Sequence, residues 1–420
     1  MEGFLPALRR GALLFAAAQL GVCPRSRAQA AMRALTAIAV LCMIVTVGGK
    51  AATFEELAAE AAAARRGNHI PEAIDLYRQA VQLRASWAEG WWFLGTLSYA
   101  TFRYADGEAA LEDFVKLDDK RALAWSLLGL CEFETGKYDR ALEHLRQGLA
   151  PGNELAPEVE AGVRFHYGLL LSKAGLFDRA KRELERYAQG GAHEPMLIAG
   201  LGLNALHQPL LPKEVPAERL DAVMKAGTAT RFWVLGETDK AEAGFQELLK
   251  EYPTLFGAHY LYGTYLSYTR PEEAMAELRR ELGLNPANAD AGAMLALLLV
   301  HANDLSGGLP FAKKAAAERP ADALAEYAYG EVLMGMGDLR PAIARLEAAE
   351  RLDPAPLEYH MALASAYSRA GRREDARQER RMSMDMAAGA QSHGVSAQNA
   401  EGGVEVRARA KAGDSHPPEN

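Results

Sequence analysis

The stretch WSLLGLCEFETGKYDRALEHL, Trp125 to Leu145, decides the fold. Its opening, Trp125-Ser-Leu-Leu-Gly-Leu, sets apolar residues three and four positions apart, the spacing of one face of an α-helix. Gly136 then breaks the helix, as a residue that tolerates the left-handed conformation does at a C-terminus. Tyr138-Asp-Arg-Ala-Leu-Glu-His-Leu starts a second amphipathic run at once. Two such helices form a hairpin, but neither can bury its whole stripe against the other. The stretch therefore requires similar neighbours to stack on.

Those neighbours are present. A small residue recurs at Ala61, Gly95, Gly129, Gly168, Gly202, Ala229, Gly263, Ala296, Gly330 and Ala364, mostly in steps of 34. A second small residue follows twelve positions later, or eleven once: Ala73, Gly107, Ala141, Ala180, Ala241, Ala274, Gly308, Ala342 and Ala376. Breakers stand between the paired runs at Gly67, Gly136, Gly175, Gly236, Asn303, Gly337 and Gly371. Pro253, Pro286, Pro320 and Pro354 close the later units, because proline cannot continue a helix. Small residues let paired helices approach closely, while leucines and aromatics fill the space around them.

Trp125–Leu145, together with EYAYGEVLMGMGDLRPAIARLEAAERLDP (Glu326 to Pro354), resembles the tetratricopeptide repeat family, whose unit is a 34-residue helix–turn–helix with a later alanine and a terminal proline. The resemblance covers 54–388, with complete units starting near 54, 88, 122, 161, 222, 256, 289, 323 and 357. It implies an all-α fold, a right-handed α-solenoid of about nine complete units plus one incomplete unit. The incomplete unit has a first helix over Met196–His207, then Pro209, Pro212 and Pro216 where a second helix belongs. Residues 52–207 and 222–388 thus read as two arrays joined by an irregular connection over 208–221. That connection is either a hinge or a deletion that leaves the stacking continuous. A five-residue insertion at Pro151–Pro157 reads as a longer loop.

Composition fits this reading. Of 420 residues, 49% are apolar, too many for a disordered chain, and the net charge of −8 is spread along the sequence. Without a concentrated basic face, nucleic acid is not an expected partner. Of three cysteines only Cys131 lies in the repeats, which leaves it no partner there for a disulfide and no companions for a cysteine zinc site.

The first 51 residues read as an address. Gly11–Cys23 follows Arg9 and Arg10 and precedes Ala28-Gln29-Ala30, while Ala34–Gly49 follows Met32-Arg33. Each has the basic start, apolar middle and small-residue exit of a secretory signal, and the duplication points to Met32 as the true start. The second run is either cleaved or kept as a short anchor; membrane contact is expected only through it. Both versions place the body in the periplasm, outside the cell, or on the periplasmic side of an inner membrane. Residues 389–420, rich in Gly, Ser, Gln, Asn and Pro, read as a disordered tail, and Arg380 with Ser383 give the last unit a polar outer face.

The resemblance implies that first helices line a concave binding surface. On that register the face comprises Trp92, Thr96, Tyr99, Phe133, Glu134, Phe165 and Lys173 in the first array. In the second it comprises Thr230, Trp233, Tyr260, Thr264, Tyr268, His301, Tyr327, Glu331, Ser365 and Arg369. Such aromatic residues suit recognition of a protein or peptide. The lysine and asparagine with which some family members grip a terminal carboxylate are missing: Trp92/Thr96, Ser126/Leu130, Phe165/Leu169 and Tyr260/Thr264 stand at those places. Catalytic signatures are also missing, with no H-E-x-x-H, phosphate loop or G-x-S-x-G. Gly200-Leu-Gly202 lies in a helical run with no strand before it, and the register turns His144 outward, away from Cys131. No cofactor or metal is expected. A non-catalytic scaffold of the cell envelope is the leading expectation. The alternatives are an assembly or secretion factor for a pilus, outer-membrane or polysaccharide-export system, and, remotely, an enzyme with an unrecognised site.

Overall fold

A computed structural model describes residues 52–392, so the expected address (1–51) and the tail beyond Ser392 lie outside the described residues. Those residues form α-helices, turns and one 3-10 turn, with no strand among them. The fold is an all-α helical repeat solenoid. Its first four hairpins are α1 (Phe54–Arg66) with α2 (Ile70–Leu83), α3 (Ala88–Ala100) with α4 (Tyr104–Leu117), α5 (Ala122–Thr135) with α6 (Tyr138–Gly148), and α7 (Pro157–Lys173) with α8 (Phe177–Gln189). A lone helix α9 (Pro195–Ala205) and a 3-10 turn (Pro212–Glu214) follow. The other five hairpins are α10 (Ala217–Val234) with α11 (Thr238–Glu251), α12 (Ala258–Leu266) with α13 (Pro271–Leu284), α14 (Ala289–His301) with α15 (Leu305–Glu318), α16 (Ala323–Met336) with α17 (Leu339–Leu352), and α18 (Leu357–Arg369) with α19 (Arg373–Ser392). The chain divides into two compact units. One runs to Asn204 and also takes Gln208–Ala217; the other takes Ala205–His207 and continues from Glu218.

Local chemistry sets the helix ends. The hydroxyl of Thr53 accepts from the Glu56 amide and the Glu56 carboxylate accepts from the Thr53 amide, a reciprocal cap for α1. Asn288, Asp304 and Asp322 cap α14, α15 and α16 by accepting amides at 3.1, 2.9 and 3.0 Å. Gly136 and Gly337 end α5 and α16 at φ of 83° and 89°.

The two helices of a hairpin are buried differently. Second helices hide one stripe, such as Ala141, Leu145 and Gly148 of α6 or Ala180, Leu184 and Ala188 of α8. First helices are covered on most sides, and α5 buries every residue from Ser126 to Phe133. They face their own second helix and the next unit together. Close approach comes from the periodic small residues: a Cβ on Gly95, Gly129, Gly168 or Gly330 would lie 2.6, 2.8, 3.1 or 2.7 Å from Leu111, Leu145, Leu184 or Leu346 respectively. Cores run across unit boundaries, as where Tyr77, Val81, Leu94 and Leu97 join one cluster, or Leu346, Leu363 and Ala376 another.

A recurring polar device ties each turn to its hairpin. In the first turns of α3 and α5, the indole N–H groups of Trp91 and Trp125 donate to the carbonyls of Ala85 (2.8 Å) and Asp119 (2.7 Å), six residues upstream. In α12 and α18 the Nε2 of His259 and His360 donates to Pro253 and Pro354, each at 3.1 Å and again six residues upstream. Their Nδ1 atoms meet Glu277 (2.6 Å) and Glu379 (2.8 Å) on the second helix. Arg164–Glu183 (3.1 Å) and Glu326–Arg345 (3.0 Å) bridge their hairpins at the nineteen-residue spacing of His360–Glu379.

Several boundaries differ from the sequence reading. Helix α7 begins at Pro157 rather than near 161, because proline is well placed in a first helical turn. Helix α10 begins at Ala217, taking five residues from the expected irregular connection, and α12 begins at Ala258 rather than near 256. Helix α19 runs to Ser392, into the stretch read as tail.

Candidate interaction face

The first helices position the expected face, and burial divides it. Five expected contact residues are core residues instead. Thr96 is buried, and its hydroxyl donates to the carbonyl of Trp92 (2.9 Å). Phe133 is buried, edge-on to His166 with centroids 4.9 Å apart. Phe165 stacks on Tyr187 at 4.7 Å, and Tyr260 lies 4.7 Å from His207, both buried. Rings from neighbouring elements lie against Phe133, Phe165 and Tyr260. Thr230 is likewise buried, and its hydroxyl donates to Ala226 (2.8 Å). His144 is also corrected: its Nδ1 meets the buried Glu132 at 2.7 Å, so it faces its partner helix. Burial raises the Cys131 thiol well above the ordinary thiol range, which suits a packed side chain rather than a nucleophile.

In the first unit, Trp92 and Tyr99 are half-buried. The Trp92 ring lies against Phe114 (5.3 Å) under the Arg121 guanidinium (4.5 Å). Glu134 is exposed and Lys173 is half-buried. A cavity of about 460 Å³ at the start of α6 is lined by Lys137, Tyr138, Arg140 and Lys173 among others. Its cations are already paired: Lys137 with Glu108 (2.6 Å), Arg140 with Glu132 (2.9 Å) and Lys173 with Glu214 (2.8 Å).

In the second unit the face is more open. Tyr268 is 51% exposed beside the half-buried Trp233, with ring centroids 6.0 Å apart. His301, Ser365 and Arg369 are exposed, while Thr264, Tyr327 and Glu331 are half-buried. The Tyr327 ring lies tilted against Tyr359, with centroids 4.7 Å apart. Burial pushes the Glu331 carboxyl up to about 7, against the pull of the Arg369 charge. Met361 at 46% exposure belongs to this face and was missed. It holds the same place in its unit as Tyr327 does, and only the emphasis on aromatic and polar residues hid it. The His259 and His360 clamps were missed for another reason: no metal-ligand spacing marks them, and only the shared register could have found them.

Among the described residues no group of His, Cys, Asp and Glu is arranged to hold a metal, and no helix is long and apolar enough to cross a membrane.

Fold and face together define a helical-repeat interaction scaffold. Two family models, both described as tetratricopeptide repeat, match this chain, one at residues 99–154 and 327–381 and the other at 221–254. The matched stretches are tetratricopeptide repeats, the kind of repeat from which protein-interaction scaffolds are built. No curated protein matches it. Among solved structures, a fragment of MamA from Desulfovibrio magneticus RS-1 is similar at 22% identity, over 40% of this chain and 96% of that one, with a TM-score of 0.34. The yeast Tom70 structure is similar at 12% identity, over 79% and 85%, with a TM-score of 0.33. The Cut9–Hcn1 hetero-tetramer of the APC/C is similar at 14% identity, over 80% and 66%, with a TM-score of 0.37.

Proposed function

We propose that this chain is a non-catalytic scaffold of the cell envelope, holding a partner protein or peptide segment against its first-helix faces. The supporting observation is the open face of the second unit, where Tyr268, Met361, His301 and Arg369 are exposed beside the half-buried Trp233 and Tyr327. Rigid aromatics and a methionine at exposed places on a common helical register form a contact surface, since exposed apolar area of this kind is retained for binding. Envelope placement is supported by the two signal-like runs, Gly11–Cys23 and Ala34–Gly49. Affinity capture with the full chain from envelope extract tests the reading, comparing parent with Trp233→Ala/Tyr268→Ala. Recovery of the same partners at the same level by both would refute this face. Fractionation of native cells with N-terminal sequencing of the mature chain tests the placement; a soluble cytosolic product retaining residues 32–51 would refute it.

A further inference from the structure

We infer that the face around Glu331 takes a partner segment presenting a cationic side chain, arginine or lysine, which pairs with the Glu331 carboxylate beside the Tyr327 ring. The inference rests on the reading that first-helix faces bind protein, and it names the chemistry of one contact.

Glu331 lies one helical turn after Tyr327 in α16. Its Oε1 is buried and accepts no hydrogen bond, although a carboxylate oxygen is among the most demanding acceptors in a protein. Other buried carboxylates of the same unit do have donors. Glu281 accepts from the Gly257 amide (3.0 Å), Asn285 (2.8 Å) and Asn288 (2.9 Å), Asp290 from His207 (2.7 Å) and Arg319 (2.6 Å), and Glu326 from Arg345 (3.0 Å). The charged neighbour that acts on Glu331 is Arg369 of α18, while Tyr327 of its own helix feels the charges of both Glu331 and Glu358. Arg369 is exposed and lies beyond ion-pair distance. Over this ground the surface is open, at Met361, Ser365 and Arg369.

Charge selects the occupant. An acidic segment would set a like charge against the Glu331 carboxylate. An apolar segment would cover Glu331 and leave its oxygen unserved, and a neutral donor would serve it with a weaker bond than a cation does. A guanidinium or ammonium supplies the missing donor, and the partly open Tyr327 ring adds a cation–π contact. Among the described residues Arg369 is the cation that acts on Glu331, so its removal should favour the incoming cation.

The test uses the full chain and an acetylated, amidated heptapeptide with a central arginine, beside the same peptide carrying citrulline, which keeps the shape and loses the charge. The arginine peptide should bind at least about tenfold tighter, the difference expected of a charge-assisted bond. Its binding should move the titration midpoint of the Glu331 carboxyl carbon from about 7 to below 5. Glu331→Gln should abolish the preference and Arg369→Ala should strengthen binding. Glu374→Gln, the same charge change at an exposed site of α19, should alter neither. Equal binding of the two peptides, or equal loss in Glu331→Gln and Glu374→Gln, overturns the inference. If both peptides bind equally and Met361→Asp weakens both, the face reading stands while the cationic contact falls. If the Glu331 midpoint is already low in the full chain and rises in a chain ending at Ser392, the chain's own Arg407–Lys411 stretch is the occupant and a partner segment is refuted.

Discussion

Gly129 and Gly283 both lie in helices, and what a side chain would touch separates them. At Gly129 a Cβ would meet Leu145 at 2.8 Å and the Leu145 backbone nitrogen at 3.0 Å, whereas at Gly283 nothing lies within 4 Å. Gly129→Ala should therefore cost about 1–2 kcal/mol through overpacking, despite the helix propensity gained. Gly283→Ala should stabilise by about 0.5 kcal/mol. Urea denaturation of both variants checks the opposite signs. His360 gives a second expectation at this scale. Burial works to lower its pKa, but its hydrogen bonds to Glu379 and Pro354 and the Glu379 charge outweigh burial and hold it above the ordinary histidine value. A raised folded pKa means the contribution is complete below about 6.5 and is lost as pH rises through the folded value. His360→Ala leaves the buried Glu379 without its partner and should cost about 3 kcal/mol at pH 6. The gap from the parent should narrow by pH 9, and a gap independent of pH would remove the ion-pair account. Periodicity displayed Gly129 as a close-approach residue. It could not display His360, because a histidine and a glutamate nineteen residues apart become neighbours only once the hairpin closes.

At the scale of elements, the hairpins were legible because each carries its own period and breakers. Helix starts near 54, 88, 122, 289, 323 and 357 coincide with α1, α3, α5, α14, α16 and α18. The starts that shifted, at α7, α10 and α12, flank the irregular places in the period, where spacing no longer dictates where the first turn forms. Helix α9 is informative because it has no second helix, yet Leu197 to Asn204 are all buried. A helix apolar on every side has to be enclosed by other elements. Gly200 meets that need on one side, where a Cβ would come within 2.6 Å of Leu169. Gly200→Leu should accordingly lower the melting temperature by several degrees, following an overpacking cost of about 1–3 kcal/mol. An unchanged melting temperature would show that α9 yields freely.

For the whole molecule, stacked repeats share cores with their nearest neighbours, so stability is distributed along the chain. The division into two compact units predicts unfolding in more than one step, with Gly129→Ala moving one transition and Gly330→Ala the other. A single transition shifted equally by both variants would show one cooperative body instead. The sequence alone determined the helical class and the 34-residue repeat, because those follow from residues within one period. Tertiary structure decided which face residues are available. Thr96, Phe133, Phe165 and Tyr260 share a register with Tyr268 and Met361, but packing buries the first four and leaves the last two exposed. Register fixes the direction in which a side chain leaves its helix, and only packing between units decides what it meets there.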